Sequence, residues 1–228
     1  MKYFPFKLID LSHTLTPEIP AWDQHCGFNL SNTLDYTDCA TQTKFRVQSL
    51  SMNAGIGTHI DAPAHCFPGG QTIAEIPLEK LLTPCVVIDV SHKAHAAYKI
   101  SVNDIKNFET QHSIISTDTL VIIRTGWEQY WHEPSRYHNN WQFPSVSQET
   151  AQYLVDKNIV GLGIDTLSPD ILESDYPVHR LMLGVGNYII ENVANSSKLP
   201  ATGAYTLALP LKIQGGTEAP IRFIGLLS

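Results

Sequence analysis

The sequence predicts a mixed α/β fold, α+β in its ordering, around one sheet-rich core. Three observations predict it. Short apolar, β-branched runs outnumber helical patterns, and the two are interleaved without regular alternation. Val86-Val87-Ile88 and Val121-Ile122-Ile123 are continuously apolar, as strands covered on both faces are. The 228 residues, 43% of them hydrophobic, are ample for a sizeable core.

Taken in order, strands are expected over 7–12, 44–51, 85–90, 120–124, 159–164, 204–209 and 221–227. Ser101 ahead of 102–108, with Asp104 three residues on, reads as a capping box opening a helix. Ser147 precedes a second helix over 148–157, where Ala151, Leu154 and Val155 share a face, and Pro144 suits its entry. A third, shorter helix is expected over 187–194. The polar stretch 128–142 has Trp127, Trp131 and Trp141 within or beside it, the mark of a packed excursion rather than a tether. With no internal repeat, low-complexity tract or Gly/Ser linker, the chain reads as one domain, 1–228.

The charge balance excludes several classes. Against 22 Asp+Glu stand 15 Lys+Arg, a net charge of −7, which argues against broad nucleic-acid binding. Mean hydropathy is −0.08, and no stretch of about 18 uncharged apolar residues is present, so no membrane-spanning helix is expected. The opening MKYFPFKLIDLSHTL lacks an apolar h-region and a small-residue cleavage site, so no secretory signal is expected. Cys26, Cys39, Cys66 and Cys85 form no C-x-x-C pair, which points to neither a disulfide scaffold nor a cysteine metal knot and suits a reduced cytoplasm. The pairs Gly161/Gly163 and Gly184/Gly186 complete no phosphate cradle, and no G-x-S-x-G elbow is present, so neither a dinucleotide cofactor nor a serine nucleophile is indicated.

The strongest chemical signal is Gly55-Ile-Gly-Thr-His59-Ile-Asp61-Ala-Pro-Ala-His65. In extended backbone His59 and Asp61 project to one face with Cα atoms roughly 6–7 Å apart, two rises of about 3.3 Å each. An imidazole and a carboxylate so placed can share a cation at bond lengths of about 2.0–2.2 Å. Pro63 biases Ala62 toward extended geometry, and His65 then arrives after a short turn and can face the same cavity. The same residues also suit a core histidine bonded to a carbonyl and an aspartate capping a turn.

A second constellation runs from Asp165 to Glu191. His179 and Glu191 are twelve apart; on one straight helix they would be turned about 120° from each other. Gly184 and Gly186 between them favour a helix–loop–helix path that lets both face one site. Taken singly, His179 also suits a structural histidine and Glu191 a solvated helix residue.

Gly57-Thr58-His59-Ile60-Asp61-Ala62-Pro63-Ala64-His65 resembles the G-T-H-x-D-x-P-x-H signature of the cyclase family of metal-dependent hydrolases, which includes bacterial kynurenine formamidases and isatin hydrolases. Asp165-Thr-Leu-Ser-Pro-Asp170, the His179-to-Glu191 spacing, Glu191-Asn192 with Leu199-Pro200, and Pro210-Leu-Lys-Ile-Gln-Gly-Gly216 follow the family's later blocks in order. The resemblance implies a swivelling β/β/α architecture in a homodimer or homotetramer. It implies a hydrolase that cleaves a small amide or lactam C–N bond with metal-activated water, the small molecule being its partner. By position, His59, Asp61, His179 and Glu191 would be metal ligands, with Asp61 and Glu191 able to bridge two ions. His65 would donate and accept protons, and Trp22 would stand on the substrate side. Zinc and manganese suit such mixed ligation equally.

One departure matters. The family signature begins with a histidine four positions before His59, where this chain has Gly55. Four donors remain, enough for one ion with an open water position, so one ion is expected rather than two. His13, His25 and Cys66 are the nearby side chains that could take the missing place. The stretch 215–220 also differs from the family's usual ending. Two other readings fit these residues: a cyclase or dehydratase using the metal only as a Lewis acid, and a non-catalytic small-molecule-binding relative.

Overall fold

The computed structural model describes residues 5–227. In chain order its strands and helices are β1 (Lys7–Asp10), β2 (Asn29–Leu34), β3 (Val47–Ser51), β4 (His59–Asp61), α1 (Leu78–Leu81), β5 (Leu82–Asp89), β6 (Lys99–Ile100), α2 (Val102–Gln111), β7 (Leu120–Arg124), α3 (Pro134–His138), β8 (Ser145–Val146), α4 (Gln148–Asp156), β9 (Gly161–Ile164), α5 (Pro177–Gly184), β10 (Tyr188–Glu191), β11 (Ala204–Pro210) and β12 (Glu218–Leu227).

Strands β12, β11, β5, β7, β9, β10 and β4 follow one another around a closed sheet. Closure depends on the length of β12. Its first residues pair with β4, Glu218 opposite Asp61 and Pro220 opposite His59, while its last pair with β1. The run β5–β7–β9–β10 is parallel and the remaining pairs of the sheet are antiparallel.

The two continuous apolar runs are explained by their two destinations. Val87 and Ile122 point into the barrel with Ile60, Ile190, Ala219 and Phe223. Val86, Ile88, Val121 and Ile123 point outward, beneath helices that contribute Ile105, Leu154 and Met182. Each such side chain fully buried contributes about 1.5–3 kcal/mol. A third cluster gathers Ile19, Ala21, Trp127, Trp131, Tyr137 and Phe143, so 128–142 is indeed a packed excursion.

The capping box and the second N-cap act as expected. Ser101 and Asp104 cap α2 reciprocally, and the Ser147 hydroxyl accepts from the Thr150 amide at the start of α4. The helix expected over 187–194 is not there: 188–191 is strand β10, hydrogen-bonded on one side to β9 and on the other to β4. Turns at Gly186 and Asn192, both at positive φ, bracket Ile189-Ile190 and leave a β-branched pair buried on both faces. The helix–loop–helix path from His179 to Glu191 is therefore helix–turn–strand. Strand β2 lay outside the expected runs. Among the described residues it pairs only with β3, in a two-stranded arm on which Leu30, Val47 and Leu50 are about half exposed.

Candidate metal centre

The three-strand ladder β10–β4–β12 sets the site. His59 and Asp61 stand two residues apart on β4, so both project from the barrel's outer face while Ile60 between them enters the barrel. Glu191 of β10 lies opposite His59, and Glu218 of β12 lies opposite Asp61. Cross-strand partners share a face, so the two glutamates flank the β4 pair from either side. Helix α5 packs over this face and brings His179 down onto it.

Two devices fix the rings. Gly57 sits at φ +60°, where a side chain would also collide with Leu15. Its carbonyl, turned back by that conformation, accepts from the His59 ring Nδ1 at 3.0 Å and from the Asn192 amide at 2.9 Å. Asp170 has two tasks. Its carboxylate accepts the first free amides of α5, those of Val178 and His179, and lies 2.8 Å from the His179 ring Nδ1. With both Nδ1 atoms engaged as donors, both Nε2 lone pairs face the cluster. Asp170 was quoted in the sequence only as part of a block. A few residues away, Asp165 accepts from the Thr125 amide and hydroxyl and the Gly126 amide, so its role is to brace the loop after β7.

His59, Asp61 and Glu191 each offer one donor atom within 4.8 Å of the others, and His179 faces the second oxygen of each carboxylate. His59 Nε2 is 3.5 Å from Asp61 Oδ1 and 3.3 Å from Glu191 Oε2, and His179 Nε2 is 3.7 Å from Asp61 Oδ2 and 3.5 Å from Glu191 Oε1. Donors on a tetrahedron around an ion at about 2.1 Å stand about 3.4 Å apart. The two His59 contacts match that spacing, His179 meets the second oxygen of each carboxylate, and all four contacts are long for direct hydrogen bonds. Asp61 Oδ1 is buried and has no hydrogen-bond partner among the described residues. Side chains here are 2–8% exposed. A neutral imidazole pair and a carboxylate pair around one orphaned oxygen fit a divalent cation, with zinc and manganese as candidates. Without it, protons compensate the carboxylates: burial penalises the His59 imidazolium, but Asp61 and then Glu191 outweigh it and raise His59 to about 10. His179 is raised as well, Asp170, Asp61 and Glu191 overcoming its burial. Burial works against the Asp61 charge, and His59 foremost, with His179 and His65, holds the carboxyl below the usual range.

The cluster forms the floor of a cavity of about 620 Å³. His65, on a single turn of 3-10 helix after Ala62, faces it from the rim, its ring centroid 6.0 Å from that of His179. Trp22 lines one wall, tilted against Tyr176 and edge-on to Trp141 and Phe143, with its carbonyl accepting from Trp141 Nε1. His25 and Cys66 also line the cavity, whereas His13 does not. His13 stacks on Trp131 at 3.7 Å and borders other hollows, so it cannot stand in for a side chain at position 55. What does adjoin Gly55 is Glu218, a residue the sequence reading did not single out. Burial pushes the Glu218 carboxyl up, against the lowering effect of His65.

Comparison with known proteins agrees with this architecture. Residues 9–171 match the family described as "Putative cyclase". An isatin hydrolase of Roseibium aggregatum is 32% identical over 187 residues, 75% of this chain and 71% of that one. A kynurenine formamidase of Salinibacter ruber is 27% identical over 221 residues, 95% of this chain and 96% of its own. The crystal structure of an isatin hydrolase bound to the product analogue thioisatinate superimposes with a TM-score of 0.88 at 26% identity, covering 97% of this chain and 92% of that one.

Proposed function

The chain belongs to the cyclase family, and from that premise we propose that it is a metal-dependent hydrolase cleaving the C–N bond of a small amide or lactam, in the manner of arylformamidases and isatin hydrolases. The observation that carries the reading is the buried cluster in which His59, Asp61 and Glu191 each place a donor within 4.8 Å of the others, with His179 against the second oxygen of each carboxylate. His59, Asp61, His179 and Glu191 would hold it. When bound, such an ion supplies a Lewis acid that polarises a carbonyl and lowers the pKa of water toward about 7.

The chain's own residues do the rest. His65, partly exposed at the rim, takes a proton from water as its oxygen adds to the carbonyl carbon. It then returns that proton to the nitrogen as the C–N bond breaks, leaving a carboxylic acid and an amine. Trp22 offers an aromatic face to a planar substrate and narrows the cavity's access to water. Asp170 and the Gly57 carbonyl keep both metal-facing lone pairs aimed inward.

The chain reads as one cyclase-like domain. No helix among the described residues is long and apolar enough to cross a membrane. All four cysteines are free thiols, in keeping with a cytoplasmic setting. We place the homodimer or homotetramer contact on the β2–β3 arm, because an isolated two-stranded ribbon with half-exposed Leu30, Val47 and Leu50 gains most from being covered.

The test is a panel of N-formyl amines, isatin and small lactams, offered to protein loaded with zinc or manganese. Hydrolysis of at least one, abolished by a chelator and restored by metal, is the expected result. Metal-loaded protein that opens none of them, or hydrolysis indifferent to the chelator, overturns the reading.

A further inference from the structure

We propose that Asp61, His65 and Glu218 form a second divalent-cation site, weaker than the first, in which Glu218 of β12 supplies the donor that Gly55 cannot. The proposal deepens the hydrolase reading and depends on it only for the role of His65.

Three observations carry it. First, one donor atom each from Asp61, His65 and Glu218 lies within 4.8 Å of the others, a span that one ion can bridge. The β12–β4 register makes this no accident of side-chain drift, since Glu218 stands directly opposite Asp61. Second, a Cβ on residue 55 would come 2.6 Å from Glu218 Oε2 and 3.2 Å from its Cδ. The absence of a side chain at 55 is what admits the carboxylate, so Gly55 and Glu218 act as one exchange between the loop before β4 and strand β12. Third, Asp61 Oδ1 is buried without a hydrogen-bond partner among the described residues, and those lining the cavity include Asp23, Asp61, Glu191 and Glu218 but no Lys or Arg. A carboxylate-rich lining of this kind suits cations rather than substrate carboxylates.

The site is the weaker one because it is wetter. His65 and Glu218 side chains are 34% and 20% exposed, and His65 Nδ1 stands 3.6 Å from Glu218 Oε1. Its filling has a consequence. A cation on one ring nitrogen of His65 leaves the other carrying the proton, so the ring loses the lone pair that proton transfer requires. The second ion is therefore inhibitory.

Equilibrium dialysis against Mn²⁺ counts the ions directly. Wild-type protein should bind two, with separated affinities. Glu218→Gln should bind one. So should Gly55→Ala, which keeps the carboxylate but drives it out of place. A wild type that binds only one ion, or a Glu218→Gln protein that still binds two, overturns the site. In parallel, wild-type turnover should rise as the first site fills and fall at excess Mn²⁺, while Glu218→Gln shows no fall. Two bound ions with no fall would overturn the blocking of His65. Two bound ions with no hydrolysis at any Mn²⁺ concentration would leave the site standing and sink the hydrolase reading instead.

Discussion

The floor of the cavity and its rim are built on different principles. The floor takes His59, Asp61 and Glu191 from two laddered strands and His179 from a capped helix, all nearly inaccessible to water. Each ring is held from behind, by Gly57 in one case and Asp170 in the other. The rim takes His65 and Trp22 from turns and loops and leaves His65 about one-third exposed. Rigid ladders suit groups that must surround an ion within a few tenths of an ångström; loops suit groups that must meet substrates and exchange protons with solvent. Substitutions on the floor should therefore act through metal content, and those on the rim through turnover or substrate binding with the metal retained.

The largest break comes at Asp61, which faces both imidazoles of the floor. Asp61→Ala should purify without stoichiometric metal under conditions that load the wild type, and hydrolysis should drop below detection. Elemental analysis checks it; full metal occupancy in this variant would remove Asp61 from the ligand set. His65→Ala draws the contrast from the other side. Turnover should fall about 10²–10⁴-fold, the usual scale of general acid–base catalysis, with the tighter ion still bound. Retention of wild-type turnover would show that another group moves the proton.

Smaller effects test the bracing. Asp170→Asn keeps the size of the side chain but puts an NH2 in place of one of two accepting oxygens, Oδ2 toward the His179 ring and amide or Oδ1 toward the Val178 amide. Metal affinity should weaken about 10–100-fold, the range for losing a partner behind a ligating histidine. Competition with a chromogenic chelator reads this directly, and an unchanged affinity would mean that α5 alone positions the ring. The same assay run against pH has a defined sign. The carboxylates hold His59 at about 10 and His179 well above its ordinary value when protons occupy the centre. A cation must expel those protons, so affinity rises with pH, by about tenfold per pH unit for each proton released. Affinity that is flat between pH 6 and 8 would mean that the rings are already neutral in the free protein.

How much of this was legible beforehand follows from the same division. The H-x-D spacing on extended backbone declared the β4 pair, because a period of two places alternate residues on one face whatever surrounds them. Val121-Ile122-Ile123 declared a strand buried on both sides for similarly local reasons. The strand at 188–191 was misread as a helix: Ile189-Ile190 is a short run, and what makes it a strand is a ladder on each side, contributed by residues about 27 and 130 positions away along the chain. Asp170 and Glu218 escaped notice because nothing in their immediate sequence marks them. Asp170 acts on a helix that begins seven residues later, and Glu218 acquires its place only when β12 closes the barrel against β4. Gly55 was visible as a gap in a resemblance, but what fills the gap belongs to another strand.

Trp22 gives the smallest expected effect and the sharpest test of the rim's independence. Its ring meets Tyr176, Trp141 and Phe143 at 6.1–6.4 Å between centroids, so it is placed by aromatic neighbours. A wall that grips substrate and transition state alike contributes uniform binding, which enters KM and leaves kcat alone. An aromatic contact of about 0.5–1.5 kcal/mol beyond area burial corresponds to roughly 2- to 12-fold. Trp22→Ala should therefore raise KM by about that factor, with kcat within about twofold and metal content unchanged. If kcat falls instead while KM holds, Trp22 orients the reacting carbonyl or excludes water from the floor, and the boundary drawn here between the two regions runs through the tryptophan rather than beneath it.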